Sequence, residues 1–101
     1  METEITIQNP IFNSVEELCE YLEAQGHEET VFFEHPSMVK AITGITDSGQ
    51  LIYDYNLMIE AAMEEEGWTC EEAIDWIEYN TIRSIPYMGC NRPIVSLPIN
   101  W

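Results

Sequence analysis

The sequence predicts an α+β domain, a β-hairpin with one or two extra strands packed against three helices. Three observations carry this reading. Ser14 with Glu17, and Thr69 with Glu72, have the spacing of a capping box at the head of an amphipathic stretch. Asp54 stands as an N-cap before another helical pattern, between these two. A β-branched run meets Asp47-Ser48-Gly49 and returns as Leu51-Ile52-Tyr53, which reads as a hairpin with a three-residue turn. At 101 residues the chain makes one domain, 1–101, and is too short for two.

Taken in order, Ile5 and Ile7 alternate with polar neighbours, enough for a short edge strand before Asn9-Pro10 breaks the pattern. The first helix starts at Val15, turns Val15, Leu18, Cys19 and Leu22 inward, and stops at Gly26. Val31-Phe32-Phe33 is a short apolar run halted by His35-Pro36, and Val39 to Thr46 supplies the first hairpin strand. The second helix runs from about Tyr55 to Glu66 with Met58, Ile59, Ala62 and Met63 inward, and Gly67-Trp68 turns the chain. The third reaches about Arg83 with Ala73, Ile74, Ile77 and Thr81 on one face, and Pro86 forbids its continuation. Pro93 and Pro98 bracket Ile94-Val95-Ser96-Leu97, an edge strand if it is a strand, since proline is tolerated only there.

Charge dominates the composition. Nineteen acidic side chains face three basic ones, for a formal net charge of −16. Yet the chain is 46% hydrophobic and 11% aromatic, too apolar for an acidic disordered tail. So strong an imbalance makes the folded state repel itself, and salt should relieve it. The same field repels nucleic acid and anionic membranes and attracts cationic clefts. No apolar run approaches the ~20 residues of a membrane span. Cys19, Cys70 and Cys90 form an odd set at unrelated spacings, with no signal peptide ahead of them, so reduced thiols in a cytoplasmic protein are expected.

The unit from Asp54 to Arg83 has the outline of a helix-turn-helix. Its second helix carries Glu71, Glu72, Asp75 and Glu78, whereas affinity for a phosphate backbone comes from lysine and arginine, so direct nucleic-acid binding is not expected. The acidic positions are ordered. Glu16, Glu20 and Glu23 recur at i, i+4, i+7; Glu71, Asp75 and Glu78 repeat that spacing; Glu60 and Glu64 begin it again. Residues three or four apart on a helix face are neighbours at roughly 5–6 Å, a separation comparable to that of successive phosphates along one strand. Rows of carboxylates could therefore occupy arginine and lysine sites built for a nucleic-acid backbone. The plain alternative is the solvated face of any amphipathic helix. That face normally mixes signs, and here it hardly does.

Trp76 and Tyr79 sit off the Ala73-Ile74-Ile77 stripe, which makes them candidates for an interface, including a homodimer. No catalytic residue, cofactor or metal site is expected. His27 and His35 lie among Glu28, Glu29 and Glu34 without a zinc spacing. Asp47-Ser48-Gly49 lacks the ligands of a calcium loop. Cys90 or His35 would be the residues to examine if the chain were a small enzyme.

The stretch Leu51-Ile-Tyr-Asp-Tyr-Asn-Leu-Met-Ile-Glu, followed by Glu71-Glu-Ala-Ile-Asp-Trp-Ile-Glu-Tyr-Asn-Thr-Ile-Arg-Ser-Ile-Pro-Tyr-Met-Gly, resembles a family of small acidic proteins of phages, prophages and mobile elements of Firmicutes-type bacteria. The resemblance covers roughly residues 30–97, and Glu-Tyr-Asn-Thr-Ile-Arg-x-Ile-Pro-Tyr is its most distinctive run. It transfers no catalytic residue. It implies a mobile-element setting, in which small acidic proteins act as inhibitors of host nucleases, as anti-CRISPR proteins or as DNA mimics. The expected partner is then a basic nucleic-acid-binding protein such as a CRISPR effector nuclease, with Glu16, Glu20, Glu23, Glu60, Glu64, Glu71, Asp75 and Glu78 supplying the charge. The second expectation is a non-enzymatic accessory or assembly protein whose acidity serves solubility.

Overall fold

Both capping signals and the Asp54 cap act where the sequence places them. In the computed structural model, which describes residues 11–97, α1 spans Val15–Ala24, α2 Tyr55–Glu66 and α3 Cys70–Asn80. The Ser14 hydroxyl accepts the Glu17 N–H at 3.2 Å, and the Glu17 carboxylate reaches back to the Asn13 N–H at 2.9 Å. Asp54 accepts the Leu57 N–H at 3.0 Å. At α3 the box is complete: Thr69 accepts from Glu72 at 3.2 Å and Glu72 accepts from Thr69 at 2.9 Å. Each such cap satisfies donors that a helix cannot satisfy itself, which stabilises it by about 1 kcal/mol. Gly26 ends α1 with φ +78°, its N–H on the Glu23 carbonyl and the His27 N–H on Leu22, a Schellman closure that needs a left-handed residue.

The hairpin forms from β1 (Ile42–Ile45) and β2 (Leu51–Asp54), paired antiparallel, and β3 (Ile94–Ser96) joins the far side of β2 in parallel. The order β1-β2-β3 leaves β3 at an edge, where the buried Pro93 precedes it without costing a ladder bond. The register slips between Ile42 and Gly44, so Thr43 is an extra residue that bends β1. Gly49 closes the turn at φ +92°, and a Cβ there would stand 2.9 Å from the His27 ring. Thr30, itself buried, donates to the Gly49 carbonyl at 2.6 Å and fixes the turn to the chain leaving α1.

β2 is the centre of the core. Leu51 and Tyr53 are fully buried, in one apolar cluster with Leu18 and Leu22 of α1, Met58 and Ala62 of α2, and Ala73 and Ile77 of α3. Burying a large apolar side chain is worth about 1.5–3 kcal/mol, so these few positions hold the helices in place. The Tyr53 hydroxyl accepts the Phe33 N–H at 3.1 Å, which anchors the irregular segment after Thr30 to the sheet. Burial pushes the Tyr53 phenol far above its ordinary value, and the Phe33 bond opposes this.

Three expectations are corrected. Val39 does not begin the hairpin, because Pro36–Ala41 is a 3-10 helix. Pro36 supplies a fixed φ at its first turn, His35 accepts the Ser37 N–H at 3.3 Å, and Met38, Val39 and Ala41 are driven into the core against α2. The third helix ends at Asn80 rather than near Arg83. The Thr81 hydroxyl turns back onto the Ile77 carbonyl, and a second 3-10 helix, Ile82–Tyr87, follows with Pro86 inside it. The i→i+3 pattern of a short 3-10 helix loses only one bond to that proline, so Pro86 shapes the segment without ending it. Met63, expected inward, is 36% exposed, since the core face of α2 passes through Met58, Ile59 and Ala62. The strand expected around Ile5 and Ile7 lies outside the described residues. Among the described residues no helix is long and apolar enough to cross a membrane.

Candidate protein-binding surface

Helix geometry turns the three acidic rows outward. At 3.6 residues per turn, Glu16, Glu20 and Glu23 fall within about 60° of arc on α1, opposite buried Leu18 and Leu22. Glu71, Asp75 and Glu78 fall in the same arc on α3, opposite buried Ala73 and Ile77. Glu60 and Glu64 lie on the solvent side of α2, and all eight carboxylates are exposed. The parallel is close, since both triads begin one residue inside a capped N-terminus.

Where the chain's few cations go decides what these rows can do. The Lys40 ammonium pairs with Glu65, and His35 Nε2 stands 3.2 Å from Glu66. Both partners lie in the last turn of α2, where carboxylates oppose the negative end of the helix dipole. Arg83 places its guanidinium 5.3 Å from the centre of the Tyr79 ring. Among the described residues no lysine or arginine forms an ion pair with the rows. Among the described residues the side chains of Glu16, Glu20, Glu23, Glu60, Glu64, Glu71 and Asp75 take part in no ion pair or hydrogen bond. Glu78 differs. It accepts the Tyr55 hydroxyl at 2.7 Å, and burial together with that carboxylate pushes the Tyr55 phenol up to about 12.

The aromatic candidates separate. Trp76 is half-buried, its ring 4.7 Å from His35 in an edge contact and 5.6 Å from Trp68, so it belongs to the packing between α3 and the segment around His35. Tyr79 is 69% exposed, and Tyr87, at the end of the second 3-10 helix, is 89% exposed. Of the pair Trp76 and Tyr79, only the tyrosine is exposed, with the Arg83 guanidinium over its ring. Trp101 lies outside the described residues.

The sequence left one cluster unread. Ser37, His35 and Glu66 form a chain, with the Ser37 hydroxyl 2.8 Å from His35 Nδ1 and Glu66 on Nε2. These are the residue types of a hydrolytic triad, but their arrangement serves packing. The Ser37 hydroxyl belongs to a residue only 1% exposed, so a substrate carbonyl has no path to it. An Nδ1 that accepts from the Ser37 N–H leaves Nε2 to carry the proton toward Glu66. The chain thereby clamps the first 3-10 helix to the end of α2. The clue in the sequence was His-Pro-Ser, a short-range acceptor placed two residues before the donor it serves. Among the described residues no group of three or more His, Cys, Asp or Glu is placed to hold a metal ion, and Cys19, Cys70 and Cys90 are free thiols.

No family model, curated protein or solved structure matches this chain. The surface must be read from its own chemistry.

Proposed function

We propose that this chain is a non-enzymatic acidic inhibitor, encoded by a phage or mobile element, that occupies the nucleic-acid channel of a host defence nuclease of the CRISPR effector type. One observation carries the reading: among the described residues seven ordered, exposed carboxylates on three helices form no ion pair, while Lys40 is paired with Glu65. A fold that only needed solubility would gain from mixing signs, because each like-charge i, i+4 pair costs about 0.2–0.5 kcal/mol. Carboxylates held on helices at phosphate-like intervals present a cationic channel with what it is built to hold. Association would be steered over long range and would weaken steeply with ionic strength. The resemblance of residues 51–60 and 71–89 to small acidic mobile-element proteins supports the same setting.

The test is charge reversal on exposed positions. Glu71→Lys/Asp75→Lys and Glu16→Lys/Glu20→Lys should keep the native circular dichroism spectrum. At least one pair should lose tenfold or more of the affinity for a purified RNA-guided nuclease, since like charge against a basic cleft costs several kcal/mol. Unchanged affinity in both pairs would remove the mimicry reading.

A further inference from the structure

The triads on α1 and α3 match in spacing, but the surfaces beside them do not. Next to Glu78, and four residues after Asp75, Tyr79 holds its ring in solvent, and Tyr87 exposes another at the end of the following 3-10 helix. The aromatic ring on α1 is Tyr21. It is half-buried, packs 5.4 Å from Phe12 and offers no free face of comparable size. Large exposed rings are unusual beside so strong a negative field, and the core does not use these two. Trp76 supplies the packing that a ring on this helix could have provided.

We propose that the Tyr79–Tyr87 surface is the docking face for the basic partner, and that it selects arginine over lysine. This rests on the reading as an acidic inhibitor and adds which face acts and what it recognises. Charge complementarity fixes the occupant: Glu71, Asp75 and Glu78 share α3 with Tyr79, Asp75 one turn before it, so a cationic protein surface fits and nucleic acid or a second copy of this −16 chain is repelled. Between the two cations, a planar guanidinium stacks on an aromatic face and pairs with a carboxylate through two parallel bonds, whereas an ammonium is a strongly hydrated point charge. Tyr79 already demonstrates the contact, with the Arg83 guanidinium at 5.3 Å from its centre. A rigid tyrosine also contributes contact area at low entropic cost.

The experiment uses the full chain, isotopically labelled, titrated with nona-arginine and with nona-lysine peptides at matched ionic strength while amide shifts are followed. Nona-arginine is expected to bind about fivefold or more tightly than nona-lysine, the effect of two exposed stacking contacts. Its shifts should centre on residues 71–87. In Tyr79→Ala/Tyr87→Ala, whose rings are solvent-exposed and outside the core, the preference should shrink to within about twofold. In Glu16→Gln/Glu20→Gln/Glu23→Gln both peptides should weaken together and the preference should persist. Equal affinity for the two peptides, a preference that survives loss of both rings, or shifts centred on residues 16–23 would overturn the docking face while leaving an acidic inhibitor standing. Failure of either peptide to bind would overturn the docking face and the inhibitor reading together.

Discussion

The end of α2 and the outer rows of α1 and α3 are equally acidic and are treated in opposite ways. Glu65 and Glu66 meet Lys40 and His35, and the histidine is held in turn by Ser37 and Trp76. Among the described residues the side chains of Glu16, Glu20, Glu23, Glu71 and Asp75 meet no ion-pair or hydrogen-bond partner. The difference teaches where this fold needs its cations. Glu65 and Glu66, at the helix end that meets the first 3-10 helix, are balanced where the dipole opposes them. Carboxylates on a solvent face can be left bare at modest cost, and that cost is tolerated here on two helices with identical spacing.

The comparison fails first if the helices are not held by the core. Met58, fully buried on α2, anchors the helix that carries both kinds of acid. Met58→Ala should destabilise by about 2–5 kcal/mol in urea unfolding, the cost of deleted contacts plus the cavity left behind. A loss below about 1 kcal/mol would mean that α2 is positioned mainly by its charges.

Tyr55 sharpens the contrast, because it ties one row member, Glu78, to the interior at 2.7 Å. Tyr55→Phe should cost about 1–2 kcal/mol near neutral pH. It should also flatten an alkaline transition. The folded-state pKa of Tyr55 is raised from 10.0 to about 12, so its contribution is complete below pH 10 and is lost as pH rises from there through about 12. Wild-type unfolding midpoints should therefore fall across that window, more than those of the variant, and tyrosinate absorbance should lag accordingly.

A smaller effect bears on the rows directly. Glu16→Gln/Glu20→Gln/Glu23→Gln removes like-charge neighbours and should stabilise by about 0.5–1 kcal/mol at low salt, with a reduced gain from added salt. Glu66→Gln should show no such gain, since His35 already faces that carboxylate. The smallest change is Lys40→Met, whose pair with Glu65 is partly exposed and should be worth less than about 1 kcal/mol. If it cost more than Tyr55→Phe, the neutralised end would be a structural keystone rather than a local balance.

The sequence made most of this scaffold legible because its strongest signals are local. Ser14, Asp54 and Thr69 each place an acceptor beside orphan N–H groups, and Asp47-Ser48-Gly49 demands a turn, so three helices and the hairpin could be placed with near-correct ends. Tertiary forces decided the rest. The β-branched character of Val39 favoured a strand, but Pro36 and the His35–Ser37 bonds close a 3-10 turn that buries Met38 and Val39 against α2. Thr81 ends α3 through a bond to Ile77 that no propensity foretells. The outward direction of the acidic rows followed from their period, whereas the split between packed Trp76 and exposed Tyr79 did not. Both lie off the stripe, and only the position of His35 and Trp68 separates them. The Tyr55–Glu78 bond joins two helices and left no trace in spacing.

The most direct test of the central claim is competition for a purified CRISPR effector nuclease loaded with its guide. Target DNA at fixed concentration is titrated with this protein, and the reverse, at low and at high salt. Mutually exclusive binding that weakens as salt rises, and that is lost in the combined glutamine variant of Glu16, Glu20, Glu23, Glu71 and Glu78, is the predicted result. Equal binding to free and DNA-occupied nuclease, or affinity that is indifferent to both salt and the variant, would contradict it.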